Sequence, residues 1–331
     1  MFDFDEDLRH KVEFVNQSIL DLDLSNIHPI LADPSRYSIT GGGKRLRPIL
    51  CMLCAEAVGG DYRDTREAFL ALELIHNGTL VHDDIIDADL FRRGTPSVQM
   101  KYDTNRAVLT GDALLSLGLR YASMTGNLKV VHMLAETALK MVQGVALQTF
   151  FRREKVAEST YLKINYLKSG SLFECAAALG GIVSTDILVE HEALSEFGRN
   201  FGDAYQIRDD IRGIYAEVEQ GDLPRIDLLN GDISLPLIYA LESEEISKQD
   251  ISTLMMPYLG ENESADIEEI RRIYKESGAL KRSMDRMRDY AKEAIKCLDG
   301  LDDGNSKSSL IQLMDQYYLS FIPESRLEVI L

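Results

Sequence analysis

Apolar residues in this chain recur at three- and four-residue steps. Leu8, Val12, Val15, Ile19 and Leu22 do so near the start, and Leu280, Met284, Met287, Ala291, Ile295 and Leu298 near the end. That is the period with which a helix buries one face. Residues 67–80, 107–119 and 130–150 are rich in Ala, Leu, Met and Glu, all good helix formers. Period-2 alternation of β-branched residues between turns is absent, so no sheet is expected. Glycine and proline fall mainly between the periodic stretches, at Gly41-Gly42-Gly43, at Gly94-Thr95-Pro96 and in residues 221–224 and 259–260. No internal repeat or long linker divides the 331 residues. The simplest arrangement is one all-α domain with a sizeable core.

Composition narrows the function classes. Hydrophobic residues at 45% and charged residues at 27% exclude a disordered chain. A formal charge of −18 repels nucleic-acid phosphates and anionic membranes, so neither is an expected partner. Four cysteines are too few for a disulfide scaffold and point to a reducing compartment. Cys51-x-x-Cys54 lacks the second pair a zinc site needs, so it reads as packing. The acidic start MFDFDEDLRHKVEF is no signal peptide. The most apolar long stretch, residues 171–189, carries Glu174 and Asp186, so no membrane span is expected. A soluble cytoplasmic protein fits all of this.

Chemistry concentrates in four places. In His82-Asp83-Asp84-Ile85-Ile86-Asp87, continuing a helical run, Asp83 and Asp87 lie one turn apart, where like charges repel by a few tenths of a kcal/mol. Flanking isoleucines suggest a wall of the interior rather than open water. Two carboxylates so placed suit Mg²⁺, which takes one or two carboxylates plus substrate phosphates; a solvated acidic turn is the competing reading. Downstream, Gln206 and Asp210 share a helix face, with Asp209 beside them. Lys44, Arg45 and Arg47 follow the glycine run, and Arg92-Arg93 follow the first acidic cluster. Flexible glycines with Lys and Arg make a diphosphate clamp, Arg binding bidentately and Lys as a point charge. The Gly-Gly-Gly-Lys run lacks P-loop spacing.

Paired acidic and basic clusters on a helical frame imply metal-bridged diphosphates, and the stretches GGGKRLRP, LIHNGTLVHDDIIDADLFRRGTPSV, AVLTGDALLSLG, YLKSGSLFECAAALGG, FGDAYQIRDDI and LPLIYAL stand in the order of a known family. The chain resembles the trans-isoprenyl diphosphate (polyprenyl) synthases from about residue 41 to 241. The resemblance implies one polyprenyl synthetase domain over residues 1–331, an all-α bundle around a deep central cavity with the two aspartate clusters facing across its mouth. The implied reaction ionises an allylic prenyl diphosphate, adds the cation to isopentenyl diphosphate and loses a proton to the released pyrophosphate. By the same resemblance Asp83, Asp87 and Asp209 hold Mg²⁺, with Asp84 in support. Lys44, Arg47, His76 and Arg93 bind isopentenyl diphosphate, Arg92, Lys168 and Gln206 bind the allylic diphosphate, and the protein is a homodimer.

The departures also carry expectations. The family's second motif, D-D-x-x-D, ends here at Gly213, and Asp222 and Asp232 stand near places where the family has lysines. The losses should weaken allylic diphosphate and metal binding unless Arg212 or Arg225 compensates, and they motivate a second reading as a silent subunit of a hetero-oligomeric synthase. A class I terpene cyclase is a third; with no Trp for aromatic walls and no use for Lys44 and Arg47, it ranks last. Gly78 costs its helix roughly 1 kcal/mol relative to Ala. It lies five residues before Asp83, where short-product members of the family carry a bulky aromatic floor, so products of C20 or longer are expected. Close helix packing is the competing account of Gly78. Arg208, off the Gln206–Asp210 face, is expected to be solvated.

Overall fold

A computed structural model of the chain describes residues 6–215, 231–256 and 266–319. The described elements are almost all helical: α1 Glu6–Leu20, α2 Pro29–Thr40, α3 Leu46–Ala57, α4 Arg66–Ile86, α5 Val98–Lys101, α6 Thr104–Met124, α7 Leu128–Phe151, α8 Glu158–Asn165, α9 Ser171–Ser184 and α10 Leu188–Tyr215. Beyond residue 230 follow α11 Leu235–Glu242, α12 Lys248–Met255, α13 Ile267–Glu276, α14 Ala279–Cys297 and α15 Asn305–Met314, closed by a π-helical turn Asp315–Leu319.

Local chemistry starts and stops these helices. Asp103 caps α6 by accepting from the Arg106 N–H, Asn127 caps α7, and Ser247 with Asp250 forms a reciprocal capping box on α12. The apolar stripes read from the sequence at the two ends become α1 and α14, burying Val15 and Ile19, and Leu280 and Met287. One departure from an all-helical chain is a two-stranded ribbon, β1 Phe91–Arg92 with β2 Thr95–Pro96. Its turn residues Arg93 and Gly94 both have positive φ (52° and 73°), as a primed hairpin turn requires. Two residues per strand carry no period-2 signal, hence its invisibility in the sequence.

Helix α4 lies against α6, α9 packs between α3 and α10, and α14 covers α10. The α4–α6 seam is set by glycine: a Cβ on Gly118 would come within 2.6 Å of Ile75 Cγ1 and 3.0 Å of the Ala71 carbonyl. Between α9, α10 and the C-terminal turn, Phe173, Phe201, Tyr205, Tyr317 and Tyr318 stack with centroids 4.9–6.4 Å apart, Tyr318 donating to the Phe201 carbonyl at 2.9 Å. Residues 171–189 are divided between α9 and α10 by an extended break at Thr185. Among the described residues the helix whose length and composition would suit a membrane is instead α7, with a mean hydropathy of 1.2 over its most apolar window and 28% of that window buried.

Candidate active site

Two helix ends hold the acidic clusters. Helix α4 ends at Ile86 with Asp87 as its cap, and the Asp87 N–H donates to the Asp83 carbonyl at 2.8 Å. Asp83 and Asp87 therefore share one face. Asp83 accepts no hydrogen bond or ion pair among the described residues; burial raises its carboxyl pKa above the usual range, the Lys168 ammonium opposing and Asp87 adding to the shift. Asp84 turns the other way. It is 4% exposed, accepts from Arg92 Nε at 2.7 Å, and its pKa is raised because burial outweighs that guanidinium. Asp84, expected to support the metal, pairs with Arg92 in this structure. Through the same pairing the Arg92 guanidinium ties the ribbon to α4 by Asp84 and, at 3.5 Å, Asp89.

The basic clusters meet over the glycine loop. The Arg93 guanidinium donates to the Gly42 carbonyl and lies against Gly43, joining the two stretches that the sequence separates by some fifty residues. Arg45, in a left-handed conformation at the start of α3, is buried in an ion pair with Glu73 at 3.0 Å and is structural. Arg47 projects onto the Phe173 ring, 4.1 Å from its centroid, and its Nη1 donates to His76 Nε2 at 3.2 Å. Burial, reinforced by Arg47, Arg93, Arg92 and Arg45, holds the His76 imidazole well below its usual pKa, so it is neutral and accepts that bond. Arg47 Nε and His76 Nδ1 are both buried with no partner among the described residues. Lys44 stands 5.5 Å from the Tyr317 ring, its pKa lowered by burial and by Arg208.

The second cluster divides. Asp209 keeps company with Arg208 at 3.4 Å and with Lys44 and Tyr205; burial raises its carboxyl pKa despite those cations, beside the basic loop. Asp210, one residue on, accepts from Gln206 Nε2 at 3.1 Å, the Tyr161 hydroxyl at 2.5 Å and the Leu235 N–H at 3.2 Å, and lines a cavity of about 80 Å³ with Lys168, Gln206, Gly213 and Asp232. Ser169 holds the other end of Gln206 at 2.9 Å. Lys168 reaches the cavity from a π-helical turn, Tyr166–Gly170, against which Gly144 of α7 packs so closely that a Cβ would lie 2.7 Å from Lys168 Cα.

Two expectations change. Arg208 is 7% exposed and stacks 4.8 Å from the Tyr317 centroid, buried rather than solvated. Asp232 accepts from Arg152 Nε at 2.8 Å, and Arg152 Nη2 donates to Asp87 at 2.6 Å. Sequence reasoning passed over Arg152; its one signal was an Arg-Arg pair closing an apolar helix in a chain short of cations. Of the residues expected to compensate, Arg212 is exposed, and Arg225, like Asp222, lies outside the described residues. Gly78 faces α6: a Cβ there would stand 3.0 Å from the Gly111 carbonyl, 3.1 Å from Leu115 Cγ and 3.3 Å from Leu114 Cβ. These contacts fit the close-packing account of Gly78.

Fold and site together define an all-α protein that gathers carboxylates, guanidinium groups and a lysine at the ends of α4, α7 and α10. Residues 28–277 match the family model of the polyprenyl synthetases. The chain is 37% identical over 288 residues to a geranylgeranyl diphosphate synthase of Methanosarcina mazei, covering 85% of this chain and 87% of that one. It superposes on a geranylgeranyl pyrophosphate synthetase from Pyrococcus horikoshii with a TM-score of 0.85 at 28% identity, over 94% and 97% of the two chains. A polyprenyl synthase from Caulobacter crescentus, complexed with calcium and isoprenyl diphosphate, gives 0.85 at 28% identity over 93% and 94%. The chain belongs to the polyprenyl synthetase family, and it is a prenyltransferase of the linear prenyl diphosphate synthase type.

Proposed function

We propose that the enzyme condenses isopentenyl diphosphate with an allylic prenyl diphosphate in a Mg²⁺-dependent reaction, giving a linear trans product of C20 or longer, as a homodimer in the cytoplasm. The observation that carries this reading is the pair of buried donors Arg47 Nε and His76 Nδ1, which have no acceptor among the described residues and stand in a field of Arg93, Arg92 and Arg45. Lys44, Arg47, His76 and Arg93 bind isopentenyl diphosphate in this scheme, and Arg92, Lys168 and Gln206 orient the allylic diphosphate.

The metal fits the donor set. No group of three or more His, Cys, Asp or Glu able to hold a metal ion occurs among the described residues, but Asp83 and Asp87 are hard oxygen donors one turn apart, and Asp83 is without a partner. That suits an ion completed by substrate phosphates rather than a cage of protein ligands. Asp209, beside Lys44 and Arg208, is the third proposed ligand. Bound there, Mg²⁺ would neutralise the departing pyrophosphate as a Lewis acid. The likeness to geranylgeranyl diphosphate synthases supports C20 or longer, and four free cysteines are in keeping with a reducing compartment. For the dimer, α6 and α7 expose Leu109, Leu119, Met124, Leu128, Leu139 and Val142, an apolar surface suited to a second copy.

Incubation of purified protein with isopentenyl diphosphate, each allylic primer and Mg²⁺, with products identified by mass spectrometry, tests the reading. Product is expected, with Asp83→Ala and Asp87→Ala each lowering turnover by orders of magnitude in a folded protein. A wild type that makes none alone, yet stimulates a second synthase, would establish the silent-subunit reading that Gly213 still motivates.

A further inference from the structure

The site contains a cation that neither the acidic nor the basic motifs include. Arg152 follows the last residue of α7 and sits between two carboxylates from distant parts of the chain. Its Nε and Nη2 reach Asp232 at 2.8 and 3.4 Å, and Nη2 also reaches Asp87 at 2.6 Å. Nη1 makes no hydrogen bond among the described residues. The backbone is shaped for the arrangement. Arg153 is left-handed (φ 67°) and its N–H donates to the Gly231 carbonyl at 2.9 Å; Gly231 is left-handed too (φ 75°), and a Cβ on it would stand 2.6 Å from Arg153 Cγ. This latch brings residue 232 to the end of α7. Asp232, which lines the cavity with Lys168 and Gln206, is 6% exposed on its side chain against 19% for Arg152, so the anchor is the more buried of the two.

We infer that Arg152 is a diphosphate-binding residue of the allylic half of the site, positioned by Asp232 and shared with Asp87 until substrate binds. A guanidinium gripped along its Nε–Nη2 edge by one carboxylate keeps Nη1 for a phosphate oxygen, and Arg is the side chain whose planar fork matches phosphate bidentately. Asp87 is the exchangeable partner. A divalent cation at that carboxylate competes with Nη2, and the freed N–H groups stay beside the diphosphate because Asp232 still holds the other edge. Asp232 thereby fixes a cation in place rather than marking the loss of one. This rests on the proposed prenyl transfer.

The experiment measures binding of inorganic pyrophosphate at fixed Mg²⁺ by calorimetry, binding of Mg²⁺ alone, and steady-state kinetics, for wild type, Arg152→Gln, Arg152→Lys, Asp232→Asn and the double variant Arg152→Gln with Asp232→Lys. Arg152→Gln is expected to weaken pyrophosphate at least tenfold and to raise KM for the allylic substrate while leaving KM for isopentenyl diphosphate unchanged. It should bind Mg²⁺ alone no more weakly than wild type, since the competitor for Asp87 is gone. Arg152→Lys should be intermediate, Asp232→Asn weaker than wild type through loss of the anchor, and the double variant should recover affinity by supplying a cation from position 232. Pyrophosphate binding within twofold of wild type in Arg152→Gln overturns the inference, as does parallel loss of pyrophosphate and Mg²⁺ binding, the mark of a merely structural residue. If Arg152→Gln fails to fold by thermal melting, Arg152→Lys decides in the same way. Failure of the wild type to bind pyrophosphate with Mg²⁺ would instead sink the proposed function itself.

Discussion

Asp203 shows how far one buried carboxyl can set the response of this protein to pH. It lies on α10 two turns before Asp210, is 8% exposed, and its Oδ1 has no partner among the described residues. Burial pushes its pKa up to about 7; Arg199 and Arg286 oppose the shift, while Glu174 and Glu196 add to it. The folded state therefore keeps a proton that an unfolded chain releases near the ordinary carboxyl value of 3.8. Between those values the native state binds more protons than the unfolded one, so stability falls as pH rises through roughly 4 to 7. Asp203→Asn should remove that slope and stabilise the protein at pH 8, by at most about 4 kcal/mol at 1.36 kcal/mol per pKa unit. Denaturant titrations of both proteins at pH 4.5 and 8 check this; parallel pH dependences would mean that Asp203 titrates normally.

At the scale of elements, the α4–α6 seam decides what position 78 does. Asn77-Gly78 would mark a turn in most sequences, yet α4 runs through it, with Asn77 Nδ2 donating back to the Glu73 carbonyl at 2.8 Å. Leu114, Leu115 and Gly111 of α6 occupy the direction of the absent side chain. Gly78→Phe should therefore overpack the seam and destabilise by ~1–3 kcal/mol or more, with the product length of the folded fraction unchanged. Thermal melts and product analysis on the same preparation separate the two accounts. A stable mutant making products of C15 or shorter would return position 78 to the chain-length floor. Helicity was legible here from periodicity alone; the seam was not, because a glycine at a helix contact and one under an empty cavity look alike in sequence.

For the whole molecule, the unresolved balance is between a charge of −18 and an exposed apolar surface. Leu128 is 83% and Val142 59% exposed on the very helix with membrane-like length and composition. Large exposed apolar side chains gathered on one helix suit a partner surface, and the negative charge disfavours an anionic bilayer. Light scattering should give about twice the 37.2 kDa chain mass, and Leu139→Glu with Val142→Glu should halve it or turn the protein insoluble while Asp83 and Arg152 keep their surroundings. A monomeric wild type at micromolar concentration would remove the proposed dimer.

The amino-acid sequence by itself determined the helices, through three- and four-residue apolar spacing, and the family and most of its chemistry, through motifs whose residues lie close together along the chain. Asp83 and Asp87 share a face because a helix repeats every 3.6 residues, and nothing distant is needed to put them there. Tertiary structure decided which charges are spent on one another. Arg92 is committed to Asp84, Arg45 to Glu73, Arg208 is buried against Tyr317, and Arg152 joins Asp87 to Asp232. Ion pairs act over a few ångströms between residues that can lie anywhere in the sequence, whereas periodicity acts between neighbours. A count of cations and carboxylates along the chain therefore cannot tell a missing charge at position 232 from one delivered by the end of another helix.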